Sequence, residues 1–449
     1  MSWVTESNAA LLTDLYELTM AASYDAHDMN QRATFDLFVR DLPKQRRFLV
    51  SCGLEQALDY LETLHFDEES ISYLASLGAF SDEFLSRLEN FRFSGDVWAI
   101  PEGEITFAKE PLLRVTAPLI EAQIVETFLL NCITFQTMVA SKAARVAIAA
   151  ADKKFVDFSP RRDHGADAAL KAARAAYIAG AAATSNVLAG KTYGIPISGT
   201  MAHSYVMVFD EEIDAFRAYV KDFPDRAVLL VDTFDVEEGT RRAAEVFKEL
   251  DRRGNKDRGV RIDSGDLASL AHSVRKILDE AGLEEVKIMF SGDLDEKRVK
   301  AFLDDDVPVD AFGVGTQLGT SGDAPFLGTV YKLVADANGP KIKLSTGKAT
   351  LPGCKQVYRF ERDGVFDYDL IAAEGEVVEG GRPLLKKVMA KGARVDRPES
   401  LDTLRGRCTR GIAHLPERLR SLEDGPGHYR VELSPELQRL LEKIEAQAR

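Results

Sequence analysis

The chain has 449 residues, of which 45% are hydrophobic and 29% are charged, and this length suits two domains or one barrel with additions. Its formal net charge is −15, which argues against a general binder of nucleic acids or anionic membranes, because such proteins need a basic surface. A local group of arginines can still bind a small anion.

Four cysteines are spread along the sequence without the spacing of zinc or redox motifs. We therefore expect free, buried thiols in a reducing compartment. The first residues lack the basic start and apolar block of a signal peptide, and no stretch reaches the roughly 20 apolar residues that a membrane span needs. The expected location is the cytoplasm.

The first part of the chain has the pattern of an α+β domain. Apolar periodicity predicts a helix over 11–24, with Thr13 or Asp14 near its start, and a second helix in GLEQALDYLETL. Alternating residues predict strands over 34–40, 95–100 and 105–115. A long helix over about 120–151 then leads into a different pattern.

From residue 155 onward, short apolar runs alternate with helical stretches, which predicts a parallel sheet or an α/β barrel. Helices are expected over 236–250, 267–281 and 295–303. Each apolar run ends in polar residues, so these side chains should meet at one rim, where α/β barrels place their active sites. The six predicted strands are KFVDFS, GIPISGT, AVLLVDT, GVRIDS, VKIMFSGD and VDAFGVGT.

After about residue 331 the pattern returns to alternating strands. A charged amphipathic helix closes the chain, with Ser434 as its N-cap and Pro435 as its first residue. We expect this tail to pack back on the N-terminal part. The predicted organisation is therefore an N-terminal α+β domain at 1–130, an α/β barrel catalytic domain at 131–335 and a C-terminal part at 336–449.

Three arginines and a histidine suit this predicted rim to a phosphorylated ligand. Arg161 and Arg162 follow the first barrel strand, and His203 follows the second. Arg261 lies inside an apolar strand, where it needs an anionic partner, either a neighbouring carboxylate or a ligand. The rim is thus predicted to bind an anion and to carry chemistry.

Two glycine turns follow neighbouring strands and offer backbone N–H groups to a phosphate: Ser291-Gly292-Asp293 and Gly313-Val314-Gly315-Thr316. Neither turn continues into a P-loop or a dinucleotide-binding fingerprint. Four strand-end aspartates suit Mg²⁺ through water but are equally ordinary helix caps, so no metal ligand is assigned. They are Asp157, Asp232, Asp263 and Asp293.

In several ordered segments the chain resembles the nicotinate phosphoribosyltransferases, and the resemblance covers most of its length. An ordered set of matches is far more specific than any single motif. The segments are LLTDLYELTMAASY, FDLFVRDLPKQRRFLVSCGLEQALDYLE, TSNVLAGKTYGIPISGTMAHSYV, VRIDSGDL, FGVGTQLGTSGDAPFLGTVYKLV and KLSTGKATLPGCKQVYR.

The resemblance implies a type II phosphoribosyltransferase fold, in which an irregular α/β barrel joins an α+β domain formed by the N- and C-terminal parts. It implies that nicotinate and 5-phosphoribosyl 1-pyrophosphate give nicotinate mononucleotide and pyrophosphate, a step of NAD biosynthesis. It also implies Mg²⁺ and coupling to ATP hydrolysis. These remain expectations from similarity.

The resemblance further implies roles for single residues. ATP phosphorylates His203, and Phe158 and Tyr16 hold the pyridine ring, with Tyr16 coming from the second subunit of a homodimer. Charge that develops at the ribose can be stabilised by a carboxylate such as Asp263. The predicted nicotinate site is Tyr16, Phe158, Arg161, Ser185, Thr200 and Arg261, and the predicted phosphoribosyl pyrophosphate site is Arg162, Ser291, Gly292, Asp293, Gly313, Gly315 and Thr316.

Ser185 bears on which base is used. In related nicotinamide-using enzymes an aspartate occupies this position, whereas a neutral hydroxyl avoids repelling the carboxylate of nicotinate. The acid is therefore the predicted substrate, and the nicotinamide-specific relative is the first alternative.

Two further alternatives stay open. One is a catalytically silent dimer that binds ligands, against which the joint presence of His203, Arg261 and the glycine turns argues. The other is a barrel aldolase or isomerase with a Schiff-base lysine, for which Lys191, Lys332 and Lys348 are candidates.

Overall fold

The computed structural model describes residues 4–251, 258–344, 350–423 and 428–448. The chain divides into two compact units, the first built from Met1–Ser141 and Ala324–Arg449 and the second from Lys142–Asp323. The predicted domain boundaries, at 130/131 and 335/336, fall near the boundaries of these units but not at them. No helix of the described residues is long and apolar enough to span a membrane.

The helices whose bounds were predicted lie close to the predicted positions, apart from one break described below. In chain order they are α1 Leu15–Ala26, α2 Leu54–Thr63, α3 Glu68–Ser76, α4 Asp82–Glu89, α5 Leu119–Ile124, α6 Glu126–Ala150, α7 Ala166–Ile178, α8 Val187–Tyr193, α9 His203–Met207, α10 Glu212–Asp222, α11 Val236–Asp251, α12 Leu267–Glu280, α13 Glu296–Asp304, α14 Thr316–Gly319, α15 Leu401–His414, α16 Glu417–Arg420 and α17 Pro435–Ala448.

The strands form separate sheets in the two units. In chain order they are β1 Arg32–Val39, β2 Leu49–Val50, β3 Asp96–Ala99, β4 Ile105–Thr106, β5 Pro111–Pro118, β6 Lys154–Asp157, β7 Ala183–Thr184, β8 Ala227–Leu230, β9 Arg258–Ile262, β10 Lys287–Phe290, β11 Ala311–Val314, β12 Thr329–Asp336, β13 Gly339–Pro340, β14 Lys355–Arg362, β15 Val365–Ala373, β16 Arg382–Pro383, β17 Lys386–Ala390, β18 Ala393–Arg394 and β19 Arg430–Leu433.

The first unit is α+β and draws its main sheet from both ends of the chain. Seven strands lie in the order β13-β12-β1-β5-β3-β17-β18, so N-terminal β1 pairs with C-terminal β12. Seven of the eight residues of β1 are buried, as expected for a central strand, and Phe35 stacks on Tyr331 with 4.9 Å between ring centroids. Within this sheet, β17 of the C-terminal part pairs with β3 of the N-terminal part.

Two predicted elements of this unit are interrupted. The strand expected over 105–115 is two strands, because Lys109 adopts a left-handed turn with φ of 71° and the Glu110 carboxylate accepts from the Phe107 N–H at 2.9 Å. The helix expected over 120–151 is two helices that break at Val125. The closing helix begins as predicted, since the Ser434 hydroxyl accepts from the Leu437 N–H at 3.1 Å.

The second unit contains the predicted parallel sheet. Its six strands lie in the order β7-β6-β11-β10-β9-β8, all parallel, and form an open half-barrel. The strand interiors are mostly apolar and buried, because helices follow the strands and cover the sheet. Side chains with 0% exposure include Val260, Ile262, Ile288, Phe290, Phe312 and Val314.

One predicted strand of this unit is wrong. GIPISGT contributes only a single bridge, between Ile197 and Thr184, and the strand beside β6 is Ala183–Thr184. Pro196 has no N–H to donate and Gly194 is left-handed with φ of 70°, so a longer ladder cannot form.

None of the four cysteines is in a disulfide, as predicted; Cys52, Cys132 and Cys408 are buried, and Cys354 is only partly buried.

Candidate functional site

All but one of the predicted site residues lie in the second unit, at the carboxyl ends of its parallel strands or just beyond them. Because parallel strands end at the same edge of a sheet, these residues form one rim. Phe158, Arg161 and Arg162 follow β6, Ser185 follows β7, and Thr200 and His203 follow the Ile197 bridge. Arg261 lies in β9 and Asp263 follows it, and Ser291, Gly292 and Asp293 follow β10. Gly313 lies in β11, and Gly315 and Thr316 follow it.

Asp157 holds two of the turns through hydrogen bonds to both of its carboxylate oxygens. Its Oδ1 accepts from the N–H and the hydroxyl of Ser159 at 2.9 and 2.6 Å, and its Oδ2 accepts from the Thr184 hydroxyl at 2.7 Å. Its carbonyl accepts from the Ser185 N–H at 2.9 Å. Burial raises the pKa of Asp157, against these hydrogen bonds, which lower it. Asp157 therefore positions the turn that carries Ser185.

Arg261 is the partly satisfied cation of the rim. Its guanidinium donates to the Thr200 hydroxyl through Nη1, whereas its Nε is buried without a hydrogen bond to any described residue. No carboxylate of the described residues lies within ion-pair distance. Burial lowers the pKa of Arg261 more than Asp263 and Asp232 raise it, and Arg161 lowers it further. The predicted carboxylate partner is thus present only at longer range.

Two aspartates beside Arg261 are also incompletely satisfied. The Oδ2 of Asp232 accepts from the Asp263 N–H at 2.9 Å and from the Ser264 hydroxyl at 2.8 Å. Its Oδ1 is buried and has no hydrogen bond within the described part of the chain. Asp263 accepts from the Ser291 hydroxyl. Asp266, by contrast, caps helix α12 by accepting from the Ser269 N–H at 3.3 Å.

These oxygens bear on the implied Mg²⁺. A hard cation prefers carboxylate oxygens with few hydrogen bonds, which fits Asp232 and Asp263 better than Asp157. Within the described residues no group of three or more acidic, histidine or cysteine side chains could hold a metal by itself.

His203 starts the short helix α9 and is half-buried. Its Nδ1 lies 3.2 Å from the hydroxyl of Thr233, which follows β8. Its Nε2 makes no hydrogen bond to a described residue. If the Nδ1–H donates to Thr233, the Nε2 lone pair is left available as a nucleophile.

Two glycines allow close approach at the rim. Gly292 has φ of 89°, and a Cβ there would overlap the Asp263 carbonyl. A Cβ on Gly313 would lie 2.5 Å from the Phe158 ring, which packs on Val156 and Met289. The glycine in β11 therefore makes room for an aromatic ring at the strand ends.

The remaining predicted residues are exposed or lie in the other unit. Arg161, Arg162, Asp293 and Thr316 are exposed, whereas Ser185 is half-buried. Tyr16 lies on α1 of the first unit with 48% exposure. Its pKa is raised by burial and then by Glu126, to which its hydroxyl is hydrogen-bonded.

The candidate Schiff-base lysines gain no support. Lys332 lies on β12 of the first unit and donates to the Tyr331 carbonyl at 2.7 Å, and Lys191 is exposed on α8. Lys348, in the segment KLSTGKATLPGCKQVYR, lies outside the described residues.

Five polar residues of the rim received no individual role from the sequence, although Ser159, Thr233 and Ser264 stand at the ends of predicted strands. Four of them, Ser159, Thr184, Thr233 and Ser264, make the hydrogen bonds described above, and the Asp163 carboxyl lies 3.1 Å from the Ser159 hydroxyl. A position near a strand end is the signal that marks them.

Three family models match the chain in order. The nicotinate phosphoribosyltransferase (NAPRTase) N-terminal domain matches residues 11–134, the nicotinate phosphoribosyltransferase (NAPRTase) family matches 153–334, and the nicotinate phosphoribosyltransferase C-terminal domain matches 378–441. The second of these spans the whole rim.

Relatives match over nearly the whole chain. Nicotinate phosphoribosyltransferase pncB2 of Mycobacterium tuberculosis is 49% identical over 426 residues, covering 95% of this chain and 91% of that protein. The Bacillus subtilis nicotinate phosphoribosyltransferase is 43% identical over 362 residues, covering 79% and 74%. The crystal structure of human nicotinic acid phosphoribosyltransferase aligns with a TM-score of 0.85 and 28% identity, covering 96% and 99%.

The fold predicted from the resemblance has a parallel half-barrel whose rim carries arginines, together with an α+β unit formed by both chain ends. The chain belongs to the nicotinate phosphoribosyltransferase family and has its type II phosphoribosyltransferase fold.

Proposed function

We propose that the protein transfers the phosphoribosyl group of 5-phosphoribosyl 1-pyrophosphate to nicotinate, with ATP hydrolysis coupled through phosphohistidine at His203. The products are nicotinate mononucleotide, which feeds NAD biosynthesis, and pyrophosphate. The observation that carries this proposal is the polar cluster of Arg261, Asp232 and Asp263 at the strand ends. In it, the Arg261 Nε and the Asp232 Oδ1 are buried without a hydrogen bond to a described residue. Buried charged groups that lack partners in the protein are suited to partners in a ligand.

The arginines fit the charges of both substrates. Arg261 is fixed by Thr200 and keeps its buried Nε without a partner, so it suits a carboxylate or a phosphate. Arg161 and Arg162 are exposed on the neighbouring turn and make no ion pair with a described residue. A phosphate that bound between them would relieve the repulsion by which Arg161 lowers the pKa of Arg261.

Asp263 is the proposed catalytic carboxylate. Displacement at the anomeric carbon develops positive charge on the ribose, which a fixed carboxylate stabilises. The Ser291 hydroxyl and the Asp232 contact to its N–H hold Asp263 in one orientation. Asp232 and Asp263 are the residues that would hold Mg²⁺, which when bound neutralises charge on the pyrophosphate leaving group.

His203 has the features of a phosphoryl acceptor. With Thr233 accepting from Nδ1–H, the Nε2 lone pair attacks the γ-phosphorus of ATP and ADP leaves, while the proton stays on Nδ1. The new negative charge, three residues after the Thr200 that contacts Arg261, changes the affinity of the rim for its substrates, and this is how hydrolysis is coupled to transfer.

The proposed base site combines Phe158, whose ring lies over Gly313, with Ser185 on the turn that Asp157 holds. Tyr16 completes the site from the second subunit of a homodimer. This use of Tyr16, the homodimer and the cytoplasmic location are all parts of the proposal.

The test is a mass-spectrometric assay of the purified protein with phosphoribosyl pyrophosphate, Mg²⁺ and either nicotinate or nicotinamide, each with and without ATP. We expect nicotinate mononucleotide, formed faster with ATP. Product from nicotinamide alone would contradict the choice of base. Binding of phosphoribosyl pyrophosphate without any product would favour the silent ligand-binding alternative.

A further inference from the structure

Asp163 is a half-buried carboxyl on the turn that carries Arg161 and Arg162, and it has no part in the function proposed above. Its Oδ2 lies 3.1 Å from the Ser159 hydroxyl, which also lies 2.6 Å from Asp157 Oδ1. Its Oδ1 is buried and makes no hydrogen bond to the described residues. The serine hydroxyl thus stands between two carboxyl groups.

A hydroxyl has one proton, so it can donate to only one of two carboxylates. The shorter contact assigns the Ser159 proton to Asp157, whose other contacts come from the Ser159 N–H and the Thr184 hydroxyl. The contact between Ser159 and Asp163 is then a hydrogen bond only if Asp163 supplies the proton. If both carboxylates were ionised, the Ser159 Oγ and the Asp163 Oδ2 would face each other without a proton between them.

Asp163 also lies against helix α14. A Cβ on Gly319 would overlap its Oδ1, so the carboxyl fills the space beside this glycine. Helix α14 begins at Thr316, a proposed phosphoribosyl contact. The Asp163 carboxyl, on the turn that carries Arg161 and Arg162, therefore contacts both the Ser159 hydroxyl that donates to Asp157 and the turn after β11.

The surroundings of Asp163 raise its pKa on balance. Burial raises the pKa to about 6, and Asp157 adds to the rise, whereas the Ser159 hydrogen bond and His164 lower it. The charged groups that act on Asp163 are therefore Asp157 at the end of β6 and the neighbouring His164, while Arg161 and Arg162 precede it on the same turn. Helix α14 has the sequence TQLG and contributes no charge.

We propose that Asp163 is a positioning residue of this site: as a carboxylic acid it donates to Ser159 and so holds the Arg161–Arg162 turn and α14 in place for the anionic substrate. The inference rests on the proposed function. When Asp163 ionises, its hydrogen bond to Ser159 is lost and a negative charge appears on the turn that carries Arg161 and Arg162. An anionic substrate therefore binds better to the protonated form, and its binding takes up a proton.

The first experiment measures KM for phosphoribosyl pyrophosphate from pH 5.5 to 8 in the wild type, Asp163→Asn and Asp163→Ala. The asparagine amide donates to Ser159 at every pH. We expect wild type and Asp163→Asn to agree at pH 5.5 and KM of the wild type to rise about five- to tenfold above that of Asp163→Asn by pH 8. Asp163→Ala should have the higher KM throughout, with kcat little changed.

Two controls make the result specific. The substrate phosphate itself titrates near pH 6, but this affects every variant equally, so only the ratio of wild type to Asp163→Asn reports Asp163. Asp152→Asn removes a carboxylate whose side chain is 83% exposed, and its pH profile should match the wild type. Matching profiles for wild type and Asp163→Asn would overturn the proposal.

A second measurement needs no turnover. A carboxyl whose folded-state pKa is raised stabilises the fold below its unfolded pKa, and this stability is lost as pH rises through about 6. Asp163→Asn should therefore have a higher Tm than wild type at pH 8 but not at pH 5. Equal Tm differences at both pH values would contradict a protonated Asp163. A wild type that makes no nucleotide would instead overturn the proposed function, so the two failures are distinct.

Discussion

Two groups of buried charges in this protein differ in how far they are satisfied. In the first unit, Arg359 is 0% exposed and pairs with both oxygens of Asp369 at 2.9 and 2.6 Å and with Glu104 at 3.0 Å. Asp369 also accepts from the Tyr429 hydroxyl at 3.0 Å. At the rim of the second unit, Arg261 has one hydroxyl partner and a buried Nε without one.

The pKa values of the two arginines shift in opposite directions for this reason. Burial lowers the pKa of both guanidinium groups. At Arg359 the attraction of Asp369 and the neighbouring glutamates outweighs burial, and the net pKa is raised. At Arg261 burial outweighs the more distant Asp263 and Asp232, and the net pKa is lowered. Completed pairing is typical of a structural cluster, whereas incomplete pairing at Arg261 is the feature on which the proposed ligand site rests.

The largest expected effect concerns the nucleophile of the rim. His203→Ala should abolish ATP hydrolysis, by at least about a thousandfold, and leave slow ATP-independent transfer, because the phosphoryl acceptor is gone while the substrate site remains. The measurement is ADP release together with product formation. His272→Ala, on the exposed face of α12, is the matched control. Normal ATP hydrolysis in His203→Ala would exclude the phosphohistidine.

Removing Arg359 tests the structural side of the comparison. Arg359→Met should lower the free energy of unfolding by about 3–5 kcal/mol, because it leaves Asp369 buried without its cation and leaves Glu104 with only the half-exposed Arg382. Denaturant unfolding measures this. Arg382→Met removes a half-exposed partner of Glu104 and should cost less than about 1 kcal/mol. Equal losses in the two variants would show that burial and pairing do not set the cost.

The same substitution at the rim should have the opposite outcome. Arg261→Met should lower kcat/KM about a hundredfold while changing the free energy of unfolding by less than about 1 kcal/mol. The reason is that its desolvation is poorly compensated in the free protein, so its partner is expected to be the substrate. Kinetics and unfolding on one preparation check both values. A large loss of stability with normal kinetics would make Arg261 structural.

The smallest expected effect concerns the choice of base. Ser185→Asp should shift the kcat/KM ratio of nicotinate to nicotinamide about tenfold or more toward the amide, since a carboxylate repels the acid and accepts from the amide. The turn itself should survive, because it is held by the Ser185 N–H and the Asp157 carbonyl. Ser185→Asn, similar in size but neutral, separates charge from bulk. An unchanged ratio would refute the role of Ser185.

Much of the architecture was determined by the sequence alone. Apolar periodicity predicted the main helices, and buried runs with polar ends predicted a parallel sheet with one functional edge. This works because side-chain burial follows a period of 3.6 residues in helices and because buried strands are apolar throughout. The ordered motifs predicted the family. The local pattern failed at GIPISGT, where a proline without an N–H and a left-handed glycine reduce an apparent strand to one bridge.

Only the tertiary structure decided which polar groups at the strand ends are satisfied. Asp157, Asp232 and Asp263 all follow strands in the sequence. In the structure, both carboxylate oxygens of Asp157 accept hydrogen bonds, from Ser159 and Thr184, whereas one buried oxygen of Asp232 accepts none from the described residues. No sequence pattern marks Asp163, whose position is defined by its contacts with Ser159 and Gly319. Hydrogen bonds and burial depend on residues that are distant in the chain, so no local period can encode them.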